Sequence, residues 1–220
     1  MSYKVIVTGA TGMVGEGVLM ECLAHPQISE VLSVSRKPNG IQHAKLKEYI
    51  VPEFLNIREE DQNLKGYDGC FFCAGVTSVG KKEDEYTRLT FDTTIQFAKA
   101  VLKQNPGSTF VYVSGAGTDS KENGRLMWAR VKGKTENTLG SMGFKKVYNF
   151  RPGFMKATHG QKNTLKLYNY LSWLYPILKV VMPNGTSTLK QVGLAMIYCL
   201  IKSPDKQILE VKDINKIIPV

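Results

Sequence analysis

The sequence predicts an α/β fold in which helices cover both faces of a parallel sheet. Short β-branched runs alternate with helical stretches over residues 3–150, and the turn after the first run is rich in glycine. Helical crossovers join neighbouring parallel strands, so this alternation favours a doubly wound sheet. We expect six or seven parallel strands and a small C-terminal elaboration.

The element prediction follows the periodicity of apolar residues along the chain. The predicted strands are residues 3–8, 30–35, 45–51, 68–74, 109–114 and 145–150. The predicted helices are residues 14–24, 84–104, 125–139 and 188–201. The pattern becomes irregular beyond residue 152, and residues 207–218 are typical of a short strand and a turn. Since no linker interrupts the chain, we predict one domain over residues 1–220, with residues 155–220 as the substrate-side elaboration.

The composition is that of a soluble globular protein, and the charge is uneven. Of 220 residues, 43% are hydrophobic and 22% charged, which excludes collagen-like, low-complexity and disulfide-rich classes. Residues 1–120 hold 12 basic and 14 acidic side chains, whereas residues 121–220 hold 17 and 5. The basic half favours an anionic partner or, alternatively, a solvated lysine-rich surface. No nucleic-acid-binding motif accompanies it, so we expect a small-molecule substrate and no nucleic acid.

Cysteine usage and the termini predict a cytoplasmic protein without a metal site. Cys70 and Cys73 have C-x-x-C spacing, yet residues three apart on a strand point to opposite faces. Neither a redox motif nor a metal site is therefore expected. Reduced thiols and a start without a signal-peptide pattern are both typical of the cytoplasm.

The aromatic stretch at residues 165–182 is the most membrane-like part of the chain. Polar residues and a central proline interrupt it, so we do not expect a membrane span. With its flanking lysines, it remains compatible with a lid over the substrate, a homodimer surface or a peripheral membrane contact.

The most informative segment is TGATGMVG at residues 8–15, directly after the first predicted strand. Its G-x-x-G-x-x-G spacing opens a helix, which is the context of a dinucleotide-binding turn. Gly9 permits a tight turn, Gly12 lets the backbone approach a pyrophosphate, and Gly15 lets the helix pack closely. Amides at the helix start then face the anion, and the prediction becomes a Rossmann-like fold. The predicted cofactor contacts are Gly9, Thr11, Gly12, Met13, Val14 and Gly15.

The end of the second strand discriminates between the two nicotinamide cofactors. An NAD site has an acidic residue there to bind the ribose hydroxyls, whereas this chain has Ser35, Arg36 and Lys37. Basic side chains suit a 2′-phosphate, so we predict NADP in preference to NAD. The alternative is two exposed basic residues on a loop.

These motifs resemble the short-chain dehydrogenase/reductase superfamily, in particular its atypical, nucleoside-diphosphate-sugar-epimerase-like branch. The resemblance covers residues 1–155 and rests on the glycine turn, the CAG turn, the serine of YVSGAG, the helix bearing Lys132, and the RPG turn. It implies further cofactor contacts at Cys73, Ala74, Gly75, Lys132, Arg151, Pro152 and Gly153. It also implies that Ser114 polarises the substrate and that Lys132 holds the nicotinamide ribose.

The chain departs from the family pattern where a tyrosine precedes the lysine by four residues, because Trp128 occupies that position. An indole cannot exchange a proton near neutral pH. The catalytic set carried over is therefore Ser114, Lys132 and the substituted position Trp128. Three explanations remain open. Ser114, Thr118, Tyr86 or a water relay transfers the proton, or the reaction needs little acid assistance, or Trp128 is a packing residue. The sequence thus predicts an NADP(H)-dependent oxidoreductase or epimerase-like enzyme for a small, anionic or neutral substrate; the alternative is a non-catalytic NADP(H)-sensing protein.

Overall fold

The computed structural model describes residues 1–164 and 184–218. Within them, seven strands pair in parallel in the order β3-β2-β1-β4-β5-β6-β9, and β7 and β8 form a separate parallel pair. The strands are β1 Tyr3–Thr8, β2 Ile28–Ser35, β3 Leu46–Ile50, β4 Gly69–Phe72, β5 Thr109–Val113, β6 Lys146–Arg151, β7 Phe154–Lys156, β8 Thr186–Thr188 and β9 Ile208–Glu210. This architecture confirms the predicted Rossmann-like α/β fold.

The α-helices that the structure describes lie between the strands, except for the last one, which follows β9. They are α1 Met13–Ala24, α2 Glu83–Thr87, α3 Thr93–Gln104, α4 Met127–Ser141, α5 Leu189–Lys202 and α6 Val211–Ile217. The sequence predicted one continuous helix where the structure has α2, a π-helical turn over Arg88–Asp92 and α3.

Alternating side chains on each strand fill two separate cores. Val5 and Val7 of β1 are fully buried in one cluster with residues of α1 and α5. Ile6 between them points to the other face, where it belongs to a cluster with Phe72 of β4 and Phe97 of α3. Because successive strand residues face opposite sides, the apolar run of β1 buries both faces of the sheet.

The C-terminal tail differs from the sequence prediction. The strand is present as β9, but the predicted turn is helix α6. Its first turn is held by a capping box in which the Glu210 N–H donates to Asp213 Oδ2 at 3.0 Å, while the Glu210 side chain accepts from the backbone. The reciprocal bonds satisfy amides that a helix start leaves free, which is why this short segment is helical.

The prediction for residues 165–182 falls outside the described residues. Among the helices that the structure does describe, none has the length and apolar character needed to cross a membrane.

Candidate functional site

A cleft of about 250 Å³ lies over the carboxyl ends of β1, β2 and β4. In the sheet, β2 lies on one side of β1 and β4 lies on the other, so the strand order reverses at β1. Ligands of open α/β sheets bind at such a point. The cleft is lined by Gly9, Thr11, Gly12, Ser35, Arg36, Glu53, Phe54, Cys73, Ala74, Gly75, Val76, Leu89 and Thr93.

The glycine turn fits closely between β4 and α1. Gly9 has φ +72°, and a Cβ there would lie 2.8 Å from the backbone nitrogen of Ala74. A Cβ on Gly15 would lie 2.1 Å from the Gly9 carbonyl oxygen. Both positions therefore require glycine if the turn is to keep this path.

The start of α1 presents free amides beside the cleft. Gly12 caps the helix, and the first intrahelical bond runs from Glu16 N to Gly12 O at 2.9 Å. The preceding amides of Met13, Val14 and Gly15 have no acceptor within the helix. A Cβ on Gly12 would meet only the Gly9 carbonyl oxygen, at 3.4 Å, so the space beside the Gly12 Cα is otherwise open. The turn thus fits a diphosphate, which such amides and the helix dipole attract.

Thr8 holds the neighbouring strand end in place, although the sequence analysis did not single it out. Its buried Oγ1 accepts hydrogen bonds from the backbone N–H groups of Cys73 and Ala74, each at 3.1 Å. These bonds fix the Cys73–Gly75 backbone against the glycine turn. The available signal was a hydroxyl residue at the last position of a strand whose other buried residues are apolar.

The end of β2 places one cation in the cleft. Ser35 Oγ donates to the Lys37 carbonyl oxygen at 2.6 Å, which fixes the path of the loop. Ser35 and Arg36 line the cleft, whereas Lys37, which is exposed like Arg36, is not among the lining residues. Arg36 is therefore the basic side chain available to a bound anion at this end.

Two cleft residues missed by the sequence analysis come from the segment after β3. Glu53, an acidic residue, is among the residues that line the cleft, and Phe54 follows it as part of the apolar wall. Phe54 is 5% exposed and stacks on Phe97 with ring centroids 5.0 Å apart. With Val76 and Leu89 on the same cleft, this wall suits a flat aromatic base.

A second group of polar residues lies at the end of β5. Lys132 of α4 donates through Nζ to the Ser114 carbonyl oxygen. Burial lowers the pKa of Lys132 to about 8, while the negative charge of Glu136 opposes this shift. Ser114 Oγ lies 2.5 Å from Glu136 Oε1 and 3.1 Å from the Phe150 carbonyl oxygen, so internal acceptors share its single proton.

Arg151 at the end of β6 directs its side chain into this group. Its Nε donates to Glu136 Oε1 at 3.0 Å and its Nη2 to Glu136 Oε2, while Nη2 also donates to Ser120 Oγ at 2.5 Å. Glu210 adds a longer contact of 3.3 Å to Nη1. Hydrogen bonding to Glu136 raises the pKa of Arg151, and both members of the pair are buried. The pair joins α4 to the sheet.

The rest of the RPG turn contacts backbone. The Pro152 carbonyl oxygen accepts from Ala116 N at 2.9 Å. A Cβ on Gly153 would lie 2.3 Å from the Gly185 carbonyl oxygen, so glycine permits the close approach of the segment before β8. The turn therefore contacts both the loop that follows Ser114 and the segment before β8.

Trp128 lies one helical turn before Lys132 and is part-buried. Its Cη2 atom would be 3.5 Å from a Cβ on Gly117, whose φ is +86°. The indole thus packs over the glycine-rich loop after β5. The described residues contain no cluster of three or more His, Cys, Asp or Glu that could hold a metal ion.

Comparison with known proteins gives remote relatives and a close match in fold. Protein fmp52-1, mitochondrial, of Aspergillus terreus is 27% identical over 169 residues, covering 74% of this chain and 71% of that protein. A UDP-N-acetylglucosamine 4-epimerase from Methanobrevibacter ruminantium has a TM-score of 0.65 at 13% identity, covering 94% of this chain and 75% of its own. The NADPH-bound carbonyl reductase from chicken fatty liver has a TM-score of 0.63 at 16% identity, covering 96% and 93%.

The prediction of a cytoplasmic protein was wrong by this comparison. Three fungal relatives are named as mitochondrial proteins, at 27 to 29% identity. The prediction rested on reduced cysteines and on the residues at the start of the chain. Free thiols indicate a reducing environment and do not distinguish one reducing compartment from another.

The family assignment comes from the region that builds the cleft. The family model for the NAD dependent epimerase/dehydratase family matches residues 5–125, from β1 to the loop before α4. This stretch is more than half of the chain and contains the glycine turn, the β2 end and the end of β5. The chain therefore belongs to the NAD-dependent epimerase/dehydratase family, whose members bind nicotinamide dinucleotides.

Proposed function

We propose that the protein is an NADP(H)-dependent oxidoreductase or epimerase-like enzyme that acts on a small carbonyl or alcohol substrate. The observation that carries the proposal is the single cleft, at the carboxyl ends of β1 and β2, that both the glycine turn and Arg36 line. The amides supply a diphosphate site and the guanidinium supplies a site for one further phosphate. The structural neighbours include an NAD+ complex and an NADPH complex, so they support a nicotinamide dinucleotide, and the choice of NADP rests on Arg36.

The position of the chemistry follows from the order of the strands. β5 lies beyond β4, on the side of β1 opposite to β2. A dinucleotide with its adenosine end at Arg36 and its diphosphate at α1 extends its nicotinamide toward Ser114 and Lys132. The bound cofactor would supply or accept a hydride there, while Lys132 orients its ribose.

The position of Glu53 among the cleft-lining residues argues against NADP as the cofactor. A carboxylate in the same cleft repels a 2′-phosphate or hydrogen-bonds a neutral part of the nucleotide, depending on its distance from the bound ribose. Arg36 and Glu53 come from different strand ends, so their effects on affinity are separable by mutation.

The cofactor proposal is tested by titration calorimetry of ligand-free protein with NADPH and NADH. Arg36→Ala is expected to weaken NADPH binding about 10- to 100-fold, because a charge-assisted hydrogen bond contributes about 1.5–3 kcal/mol. NADH affinity should stay unchanged, and Lys37→Ala serves as the matched control with little effect on either nucleotide. Equal affinity of the wild-type protein for both nucleotides would contradict the preference.

Turnover is tested by following NADPH absorbance with a panel of aldehydes, enones and nucleotide sugars. Oxidation of NADPH with any member supports the enzyme proposal and begins to identify the substrate. A specific alternative, a non-catalytic NADP(H)-sensing protein, is favoured by Trp128 at the family's tyrosine position. Tight NADPH binding without oxidation across the panel would favour that alternative.

A further inference from the structure

Trp128 leaves the end of β5 without the phenol that the family pattern places there, so an acid-assisted reaction needs another group to move the proton. The candidates are the three hydroxyl groups that the sequence leaves open and the ammonium group of Lys132. Their hydrogen bonds decide between them, because a hydroxyl already donating to an internal acceptor cannot donate to a substrate in the same geometry.

The three hydroxyl groups are engaged or buried. Ser114 Oγ shares its proton between Glu136 and the Phe150 carbonyl oxygen. Thr118 Oγ1 donates to the Gly115 carbonyl oxygen at 2.7 Å and the residue is 6% exposed. Tyr86 is 2% exposed and belongs to the interior beneath α4.

Lys132 differs from these groups in having donors to spare. Its ammonium carries three N–H bonds, of which one goes to the Ser114 carbonyl oxygen. A Cβ on Gly115 would lie 3.8 Å from Nζ and would meet no other atom within 4 Å. The glycine therefore leaves open space beside the ammonium, at the strand end toward which the nicotinamide half of the cofactor extends.

We propose that Lys132 itself is the proton donor and acceptor of the reaction, taking the part that tyrosine plays in relatives. This inference rests on the proposed oxidoreductase function. In the reductive direction, a bound reduced nicotinamide would supply the hydride for a new C–H bond at the carbonyl carbon as the C=O π bond breaks. The oxygen takes a proton from the Lys132 ammonium, and the neutral amine regains a proton from water. Oxidation of the alcohol is the reverse.

The surroundings of Lys132 allow it to exist in both protonation states. Glu136, one turn later on α4, is the nearest acidic side chain, but Arg151 of β6 occupies both of its carboxylate oxygens. Across the described residues, Lys132 has no salt bridge that would hold it permanently charged. Tyr112 of β5 and Tyr86 of α2 face the same interior, and burial raises the pKa of each, so both stay neutral. Burial lowers the pKa of Lys132 to about 8, which suits a group that exchanges protons near neutral pH.

The decisive comparison is Lys132→Arg with Lys132→Met. An arginine keeps the positive charge and the hydrogen bond to the ribose, but it does not deprotonate in this pH range. We expect both variants to lose about 10²- to 10⁴-fold in kcat. The NADPH dissociation constant of Lys132→Arg should remain within about threefold of wild type. Lys134→Met, on the same helix with its ammonium 4.5 Å from the Phe91 ring centroid, is the matched control and should keep the wild-type kcat.

A gain-of-function variant distinguishes a catalytic role from a structural one. Placing tyrosine at the family position by Trp128→Tyr in the Lys132→Arg background should restore kcat at least about tenfold, because a phenol again supplies the proton. Wild-type kcat in Lys132→Arg would overturn the inference and would favour a reaction that needs little acid assistance. NADPH binding without any turnover in the wild-type protein would instead refute the proposed function on which the inference rests.

A readout independent of turnover is the pH dependence of Lys132 modification by an amine-selective reagent, measured by mass spectrometry of the free protein. The reactive, neutral amine should reach half of its maximal population near pH 8. A midpoint near the ordinary lysine value of 10.5 would overturn the inference even if the Lys132 variants were inactive.

Discussion

The buried pair of Glu136 and Arg151 gives the sharpest prediction about stability. Replacing Glu136 with leucine leaves the guanidinium buried with only Ser120 and the half-exposed Glu210 as partners. Since the side chains of Glu136 and Arg151 are 1% and 10% exposed, water cannot replace the lost carboxylate. Breaking a buried ion pair by removing one partner costs about 3–5 kcal/mol. For a chain of this size the melting temperature should fall by about 6–20 °C.

Thermal and urea unfolding followed by circular dichroism would measure the effect. The double variant Glu136→Leu/Arg151→Met removes both charges and should recover most of the lost free energy of unfolding, because apolar replacement of a whole buried pair is close to neutral. Glu83→Leu is the matched control, since Glu83 also pairs with an arginine, Arg130, at 2.6 Å but is 52% exposed. Its cost should stay below about 1 kcal/mol. A Glu136→Leu cost as small as that of the control would refute this account of the pair.

Two further predictions concern the walls of the cleft. Gly15→Ala places a methyl group 2.1 Å from a carbonyl oxygen of the glycine turn and should weaken NADPH binding at least about tenfold. The control is Gly140→Ala, where a Cβ meets nothing within 4 Å. This variant should leave NADPH binding unchanged and raise the free energy of unfolding by about 0.5–1 kcal/mol in calorimetry. Thr8→Val removes the acceptor for the amides of Cys73 and Ala74 and should lower the free energy of unfolding by about 1–3 kcal/mol in urea titrations. Thr8→Ser keeps the hydroxyl group and should retain most of the wild-type stability. Equal losses in the two variants would show that the hydroxyl does not hold this strand end.

The sheet was predictable because its signals are local. A buried parallel strand needs a continuous apolar run, and every run predicted over residues 3–150 became a strand of the large sheet. The boundaries moved by up to two residues, as at β2, which begins at Ile28 rather than residue 30. The shape of the glycine turn was also foreseen, because steric limits on Gly9 and Gly15 follow from the strand–turn–helix path itself.

The partners of individual polar side chains were not predictable in the same way. The pair of Glu136 and Arg151 joins α4 to β6, and nothing within either segment specifies the other. The spacing of Lys132 and Glu136, four residues apart on one helix, was the available signal that both occupy the same face. Glu53 and Phe54 escaped notice because their position depends on how β3 packs beside β2, which is a property of the assembled sheet.

The first turn of α1 connects the cleft to the segment that follows β7. The turn follows Gly12, which lines the cleft, and its Glu16 carboxylate accepts hydrogen bonds from the backbone N–H groups of Lys162 and Asn163 at 2.9 and 2.7 Å. Gln161 adds a bond from Nε2 to the Met13 carbonyl oxygen at 2.8 Å. The segment of residues 161–163 is therefore hydrogen-bonded to the helical turn that would bind the diphosphate, although the two lie nearly 150 positions apart in the sequence. Because backbone amides would bind the anion whereas a side chain binds the segment, the proposed diphosphate site and this contact do not compete for the same groups.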